Sequence, residues 1–308
     1  MQFLDLLNSF GHLNEAIANY NLALDQGREN GSNVEVCQSL FNCLDEIQVE
    51  WEYQKKREFR DGKAFSEMIL DVLEKPQLIE TFLNSKQLQK LSELRPPMLE
   101  HRILRQENYQ SDQRVLQDLF IDASEQHLIL KQLVKKFRKG KVEPVDVLAQ
   151  TNLVLYIIRS ILVHQEKITS GLDLPKNEID RLVSTAIIPL QVLLIDLLFN
   201  RAKNKFVSYG TLAPGEKNHL KISPLPGTWE KCSINGFIEK DDRELLYFTW
   251  ILNGRIIEAN LFISESLPKY WDYLDRFEGS RYKRRLIPVQ KFDGKITVAN
   301  IYLKNMDP

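Results

Sequence analysis

The sequence predicts an α+β protein: an all-helical part over residues 1–202, followed by a small strand-rich part over residues 203–308. Three observations predict it. Apolar residues recur at three- and four-residue spacings up to about residue 202. At Lys203-Asn204-Lys205 the pattern changes to short runs rich in β-branched and aromatic residues. Turn dipeptides, Asn253-Gly254 and Asp293-Gly294, punctuate those runs and read as hairpin signals.

The helical elements follow in order. Phe3, Leu6, Leu7, Phe10 and Leu13 form one apolar stripe, and the turn from Gly27 to Asn33 ends that helix. Ser32 or Asn33 is placed to cap the next, whose face carries Leu40, Leu44, Ile47 and Trp51. Asp61-Gly62 breaks the pattern, and Pro96-Pro97 interrupts the shorter pieces after it. Ser111 is a candidate cap for a long helix with Val115, Leu119, Ala123, His127, Leu130 and Val134 on one face, ended at Gly140. His127 lies among apolar neighbours there and reads as a satisfied core histidine. Two further apolar helices cover about 145–165 and 176–201 and are expected at the centre of a bundle. Pro189 should kink or break the second. The segment Glu15–Leu24 looks like half of a tetratricopeptide unit, but nothing matches it 34 residues on, so no repeat array is expected.

The strands expected after residue 203 are Lys205–Ser208, Cys232–Glu239, Leu245–Leu252, Arg255–Ile263, Arg285–Phe292 and Ile296–Leu303. One helix, about Leu267 to Phe277, interrupts them after Ser264-Glu265-Ser266.

The bulk numbers narrow the function. The 308 residues are 43% hydrophobic and 27% charged, with a formal net charge of -1. That is ordinary globular composition, and it gives no reason to expect nucleic acid as a partner. Residues 201–308 are mildly basic, with 18 Lys+Arg against 13 Asp+Glu. Cys37 and Cys43 lie six apart, a spacing that matches no zinc or redox motif, and they read as core residues in a reducing compartment. No secretory leader is evident, so a cytoplasmic location is expected. The most apolar run, Ala186 to Phe199, is shorter than the roughly 20 residues a bilayer needs. It also contains Pro189, Gln191 and Asp196, so no membrane partner is expected.

The chemistry is concentrated in two motifs. The first is Tyr209-Gly210-Thr211-Leu212, which ends the first strand and is followed by Gly215-Glu216-Lys217-Asn218-His219. A turn of this kind gathers backbone N–H groups around one small volume, which suits a carboxylate or a developing oxyanion. Gly210 allows close approach. The second motif is Leu274-Asp275-Arg276-Phe277-Glu278-Gly279, followed by Tyr282-Lys283-Arg284. The pair, in this order and spacing, resembles the γ-glutamylcyclotransferase-like family, including its γ-glutamylamine cyclotransferase and AIG2-like branches. The resemblance covers about the last third of the chain.

It implies a small closed β-barrel flanked by short helices. It also implies an enzyme that releases 5-oxoproline from a γ-glutamyl amine or peptide by intramolecular aminolysis, with no metal and no cofactor. By the same resemblance Glu278 is the catalytic acid/base, and Tyr209, Gly210, Thr211, Leu212 and Tyr282 contact the small-molecule γ-glutamyl substrate. His219 reads as holding the loop, and Arg284 as pairing with an acidic neighbour or covering an apolar edge. The chain departs from the family pattern at Ala213-Pro214, where basic residues are usual, and at Ala259, where a glycine is usual. A Gly-Tyr-Pro segment is also missing between Gly236 and Gly254. These departures are expected in the pocket wall.

The alternative is a non-catalytic ligand-binding or regulatory module, with the helical part docking a protein partner. Whether Glu278 lines a concave pocket beside Gly210 or points to solvent discriminates between the two readings.

Overall fold

Short strand runs and long helical stretches are both realised in a computed structural model, which describes residues 11–28, 31–54, 64–73, 76–96, 111–167, 176–240, 246–251 and 254–305. The side chains of 53–54, 111–117, 164–167 and 176 are not described. The expectations for Phe3 to Phe10, Asp61-Gly62, Pro97, the cap at Ser111, Leu245, Leu252 and Asn253 therefore lie outside the described residues. The chain divides into two compact units, Leu22–Ile195 and Met1–Asn21 with Asp196–Pro308.

The helices are α1 (Gly11–Arg28), α2 (Asn33–Gln54), α3 (Ala64–Val72), α4 (Pro76–Leu83), α5 (Lys86–Glu93), α6 (Ser111–Phe137), α7 (Pro144–Lys167), α8 (Lys176–Leu182) and α9 (Ile188–Leu198). Ser32 caps α2 through a reciprocal pair: Glu35 N–H donates to Ser32 Oγ (3.2 Å), and Ser32 N–H donates to Glu35 Oε2 (2.9 Å). Gly140, at φ +64, closes the turn after α6. The break expected at Pro189 is a five-residue π-turn, Val183–Ile187, directly ahead of it. Proline has no N–H to donate and its ring crowds the carbonyl four residues back, so the helix widens there.

Helix α7 packs against α2, α3, α4 and α6. His127 is buried, with Nε2 2.9 Å from the Leu91 carbonyl, and burial lowers its pKa. Cys37, Cys43 and Cys232 are buried and unpaired, and burial pushes the Cys37 and Cys232 thiols up to about 12. Two stretches, Pro144–Val163 and Asn177–Leu198, are long and apolar enough by length and composition to cross a bilayer. The run Ala186–Phe199 is thus part of a longer apolar helix than its own length suggests. Half or more of each stretch's most apolar window is buried inside this protein, 50% and 61%.

The strands are β1 (Lys205–Ser208), β2 (Thr228–Lys240), β3 (Leu246–Trp250), β4 (Arg255–Ile263), β5 (Tyr282–Lys291) and β6 (Ile296–Lys304), with helix α10 (Leu267–Glu278) between β4 and β5. Their order is β3-β2-β4-β1-β6-β5, and a further β2–β5 pairing closes the sheet. The result is a five-stranded barrel of β2, β4, β1, β6 and β5, with β3 extending from β2. All pairings are antiparallel except β1 with β6, where Phe206 lies opposite Asn300.

Alternation along β1 sets the two cores. Val207 points into the barrel with Ile234, Phe248, Leu261, Ile287 and Ile301. Phe206 points outward to Trp271 and Leu274 of α10. The backbone of β5 at the buried Leu286 is met by Asn21, whose side chain donates to the Leu286 carbonyl and accepts from its N–H, both at 2.9 Å.

Asp293-Gly294 makes the expected hairpin, with Gly294 at φ +79 and Gln290 opposite Ile296. The strands on either side of Gly254 do not pair as a hairpin. Gly254 N–H closes a turn onto Ile251 O (2.9 Å), but the strands on either side pair with β2 rather than with each other. The 13-residue β2 is long enough to take both, and they meet at Gly236, opposite Trp250 and Arg255. A Cβ on Gly254 would stand 2.6 Å from Gly236 Cα, so the crossing requires two glycines.

The sequence places the domain limits at 1–202 and 203–308, whereas the contacts group residues 1–21 and 196–202 with the barrel. We propose that the chain is nonetheless separable where α9 ends, at Asn200 and Arg201, which both take positive φ (51 and 57). Limited proteolysis should cut there and leave a C-terminal fragment of about 105 residues. Uniform resistance of the whole chain would contradict this.

Candidate active site

Strand β1 runs through the barrel wall and delivers Tyr209 to its rim. Beyond it the chain folds back on itself. Ala213 N–H donates to Gly210 O (3.0 Å), and Asn218 N–H donates to Thr211 O (2.9 Å). Asn218 Nδ2 donates to Thr211 Oγ1 (2.9 Å), and His219 Nδ1 lies 3.2 Å from Leu212 O. His219 therefore holds the loop, its ring tilted on Trp229 with 5.6 Å between centroids. Among the described residues nothing accepts from the N–H of Gly210, Thr211 or Leu212. Gly210 has no positive φ, and a Cβ there would meet only Leu246 Cδ1, at 3.9 Å. Neither packing nor backbone conformation asks for glycine at this position. The open space beside it is available to a ligand.

Glu278 is the last residue of α10. Gly279 ends the helix at φ +69 and ψ -168, a conformation open essentially to glycine alone, with its N–H on Asp275 O. That sharp exit turns Glu278 toward the Tyr209–Leu212 loop. Both line one cavity of about 540 Å³, together with Gly210, Thr211, Tyr282 and Tyr302. All six residues singled out from the sequence, Tyr209, Gly210, Thr211, Leu212, Glu278 and Tyr282, thus lie on its wall. Burial pushes the Glu278 carboxyl up to about 7. Burial also raises Tyr209 and Tyr302, and the Glu278 charge adds to both shifts.

The supporting polar groups are tightly engaged. Arg284 makes a two-pronged contact with Asp275, at 3.0 and 3.1 Å, and lies over the Trp271 ring, 4.5 Å from its centroid. Tyr302 donates to the same carboxylate (2.7 Å), and Tyr209 donates to Tyr302 O (3.0 Å). Tyr282 stacks on Tyr247 and donates its hydroxyl hydrogen to Leu246 O (3.0 Å), so it meets the cavity mainly as a ring.

Ala213, Pro214 and Ala259 do not line the cavity. Ala259 sits in the barrel interior, and Ala213 is buried beside the loop, so these departures do not alter the pocket wall as expected. Sequence reasoning missed Lys217, Lys240, Phe277, Arg281 and Tyr302, which also line it. Lys217 sits in the run after the first motif and Arg281 in the gap before Tyr282, and neither carries a pattern of its own. Lys240 and Tyr302 arrive through strand register and carry no local signal. Among the described residues no cluster of three or more His, Cys, Asp or Glu could hold a metal ion. A larger cleft, about 920 Å³, lies among the helices of 41–159 and includes the Asp45–Arg159 ion pair.

Two solved structures are similar to this chain. One is an AIG2-like protein of Mus musculus, also named GGACT, at 19% identity and a TM-score of 0.29, covering 34% of this chain and 79% of that one. The other is YkqA of Bacillus subtilis, at 22% identity and a TM-score of 0.28, covering 33% of this chain and 36% of that one. This chain therefore spans about a third of the length of YkqA. No protein-family model and no curated protein sequence matches it.

The raised pKa of Glu278 has a consequence for stability. Its value in the folded protein, about 7, lies above the ordinary 4.5. The folded state thus holds the proton more tightly than the unfolded state. The stability this confers is complete below about pH 4.5 and is lost as the pH rises through 7. Glu278→Gln does not titrate. It should match the protonated parent at acid pH and exceed it above pH 7 by on the order of 3 kcal/mol. Denaturant unfolding at several pH values checks this; a difference that does not change with pH would contradict it.

Proposed function

We propose that the protein is a metal-independent cyclotransferase that releases 5-oxoproline from a γ-glutamyl amine or peptide. One observation carries the reading: a carboxyl group with acidity near neutrality shares a cavity with three uncommitted backbone donors.

The reaction needs little else. The α-nitrogen and the γ-carbonyl of a γ-glutamyl compound are tethered, so the site must fold the substrate rather than supply a nucleophile. The α-ammonium first gives a proton to solvent. The neutral amine attacks the γ-carbonyl carbon, and Glu278 takes the second proton as the ring C–N bond forms. The N–H groups of Gly210, Thr211 and Leu212 face the oxygen that becomes negative. Glu278 then protonates the leaving nitrogen as the original amide bond breaks. Products are 5-oxoproline and the free amine or peptide, which regains its second proton from water. The aromatic wall of Tyr209 and Tyr282 limits water near the reacting atoms.

The pH dependence of kcat/KM for 5-oxoproline release tests the role of Glu278. The base form must be present in the free enzyme, so the plot of log kcat/KM against pH should become less steep near pH 7, where Glu278 ionises, and rise further only with the α-ammonium of the substrate. A profile of unchanging slope from pH 5 to 8 would remove Glu278 from the reaction.

A further inference from the structure

The larger cleft belongs wholly to the helical unit Leu22–Ile195 and shares no residue with the barrel cavity. Its volume, about 920 Å³, is that of a small-molecule site, which is typically apolar with a few placed polar groups. Phe41 and Leu44 of α2, Phe65 of α3 and Leu133 of α6 form one side. On α7, Asp146, Ala149, Leu153, Tyr156 and Arg159 line it at three- and four-residue spacings. At about 1.5 Å per residue, that wall runs about 20 Å from Asp146 to Arg159. The slot is therefore long, and Leu153 and Tyr156 leave apolar surface exposed along it.

The two ends differ in chemistry. At one, Arg159 donates from Nη1 to Asp45 Oδ2 and lies over the Phe41 ring, 5.7 Å from its centroid. Both charged side chains are half-buried. Among the described residues, nothing else accepts from Arg159 and nothing donates to Asp45 Oδ1. The pair thus has no net charge, yet it keeps spare donors and a spare acceptor side by side. Toward the other end the wall is mostly Leu133, Ala149 and Leu153. Gln150 adds little polarity there, because its Nε2 is spent on Gln126 O and Oε1, both at 2.9 Å.

That pair selects the head group. An anionic head would reach Arg159 but meet the Asp45 carboxylate, and a cationic head would reach Asp45 but meet the guanidinium. A zwitterionic head satisfies both. Its anionic group takes the spare Arg159 N–H groups, and its cationic group takes Asp45, in a cleft whose Phe41 and Tyr156 rings suit a quaternary ammonium.

We propose that this cleft binds a single-chain amphiphile with a zwitterionic head, seated with the head at Asp45 and Arg159 and the chain along α7. The chain fills the apolar length of the slot and covers Leu153 and Tyr156.

Calorimetric titration of the full chain tests this, using myristoyl-lysophosphatidylcholine, myristate and tetradecylamine, each below its micelle concentration. The zwitterion should fill one saturable site, roughly tenfold or more tighter than either charged compound. Asp45→Leu/Arg159→Leu leaves no unpaired charge and keeps the apolar slot, so binding should persist and the head-group preference should vanish. Ala149→Trp fills the slot and should abolish binding of all three, with circular dichroism confirming the helices. Either variant decides the matter if the other does not fold. No saturable binding by the parent, an equal or reversed preference, a preference that survives in the double variant, or unchanged binding by Ala149→Trp overturns the proposal. Co-sedimentation with phosphatidylcholine vesicles in place of saturable binding would identify a lipid surface as the occupant and overturn it as well.

Discussion

Glu278→Gln should lose cyclotransfer activity by about 100- to 10,000-fold while still binding γ-glutamyl ligands, the range expected when general acid/base catalysis is removed. The substitution keeps size and polarity and deletes the proton transfer. The attacking nitrogen must shed a second proton as the ring C–N bond forms, so ring closure stalls without a base. A carboxylate with ordinary acidity is a poor one. Burial beneath the Tyr209–Leu212 loop brings Glu278 to about 7, where it can both accept and return a proton. The same variant is predicted to be more stable than the parent above pH 7. Lost activity together with gained stability would separate a functional role from a structural one. Turnover within a few-fold of the parent would mean that another group is the base.

Asp275→Ala should be the most destabilising single change near the site, by about 2–4 kcal/mol. The carboxylate accepts both prongs of Arg284 and the hydroxyl of Tyr302. Without it a guanidinium only 20% exposed loses its carboxylate and keeps the neutral Asn300 Oδ1 (3.3 Å) as an acceptor. The Tyr302 hydroxyl loses its acceptor at the same moment. The loss also reaches the site, because Asp275 belongs to the last turn of α10, which ends in Glu278. Urea unfolding measures the stability term, and kcat should fall with it. In the double variant Asp275→Ala/Arg284→Met no unpaired charge remains, so the loss should be smaller than for Asp275→Ala alone. A cost below about 1 kcal/mol for Asp275→Ala would contradict this account of the ion pair.

The sequence made much of the strand-rich part legible, and the reasons are local. Lys205–Ser208 and Arg255–Ile263 are strands over the expected residues, because β-branched and aromatic runs flanked by turn residues have few other places to go. The start of β2 was hidden: Thr228-Trp229-Glu230-Lys231 mixes charged and aromatic residues and is at most half-buried, so it lacks a clean alternation. The turn signal before Gly254 marks a real turn, closed onto Ile251 O, but β3 and β4 flank β2 and do not pair as a hairpin. Turn chemistry fixes a change of direction, whereas the choice of partner belongs to β2, which is too distant in sequence for a local pattern to announce.

The site divides the same way. Glu278 and the Tyr209–Leu212 loop were visible because each depends on a glycine-bearing turn with a recognisable spacing. The exposed cations that line the cavity, Lys217, Lys240 and Arg281, were not. A lysine at the end of a strand looks like any solvated lysine until register brings it beside a loop some thirty residues earlier. The Asp275–Arg284–Tyr302 contact was half legible. Arg284 was expected to pair with an acid or cover an apolar edge, and it does both, while Tyr302 joins it only through the β5–β6 pairing.

The most direct test of the central claim is the appearance of 5-oxoproline. The purified full chain, without added metal or cofactor, would be incubated with γ-glutamyl dipeptides, glutathione and γ-glutamyl amines, and 5-oxoproline followed by mass spectrometry beside a Glu278→Gln control. The account predicts stoichiometric 5-oxoproline and free leaving amine from at least one compound with the parent, and almost none with the control. Folded parent protein that yields no 5-oxoproline from any of them, yet binds them with the same affinity as the control, would contradict it and identify the cavity as a binding site without turnover.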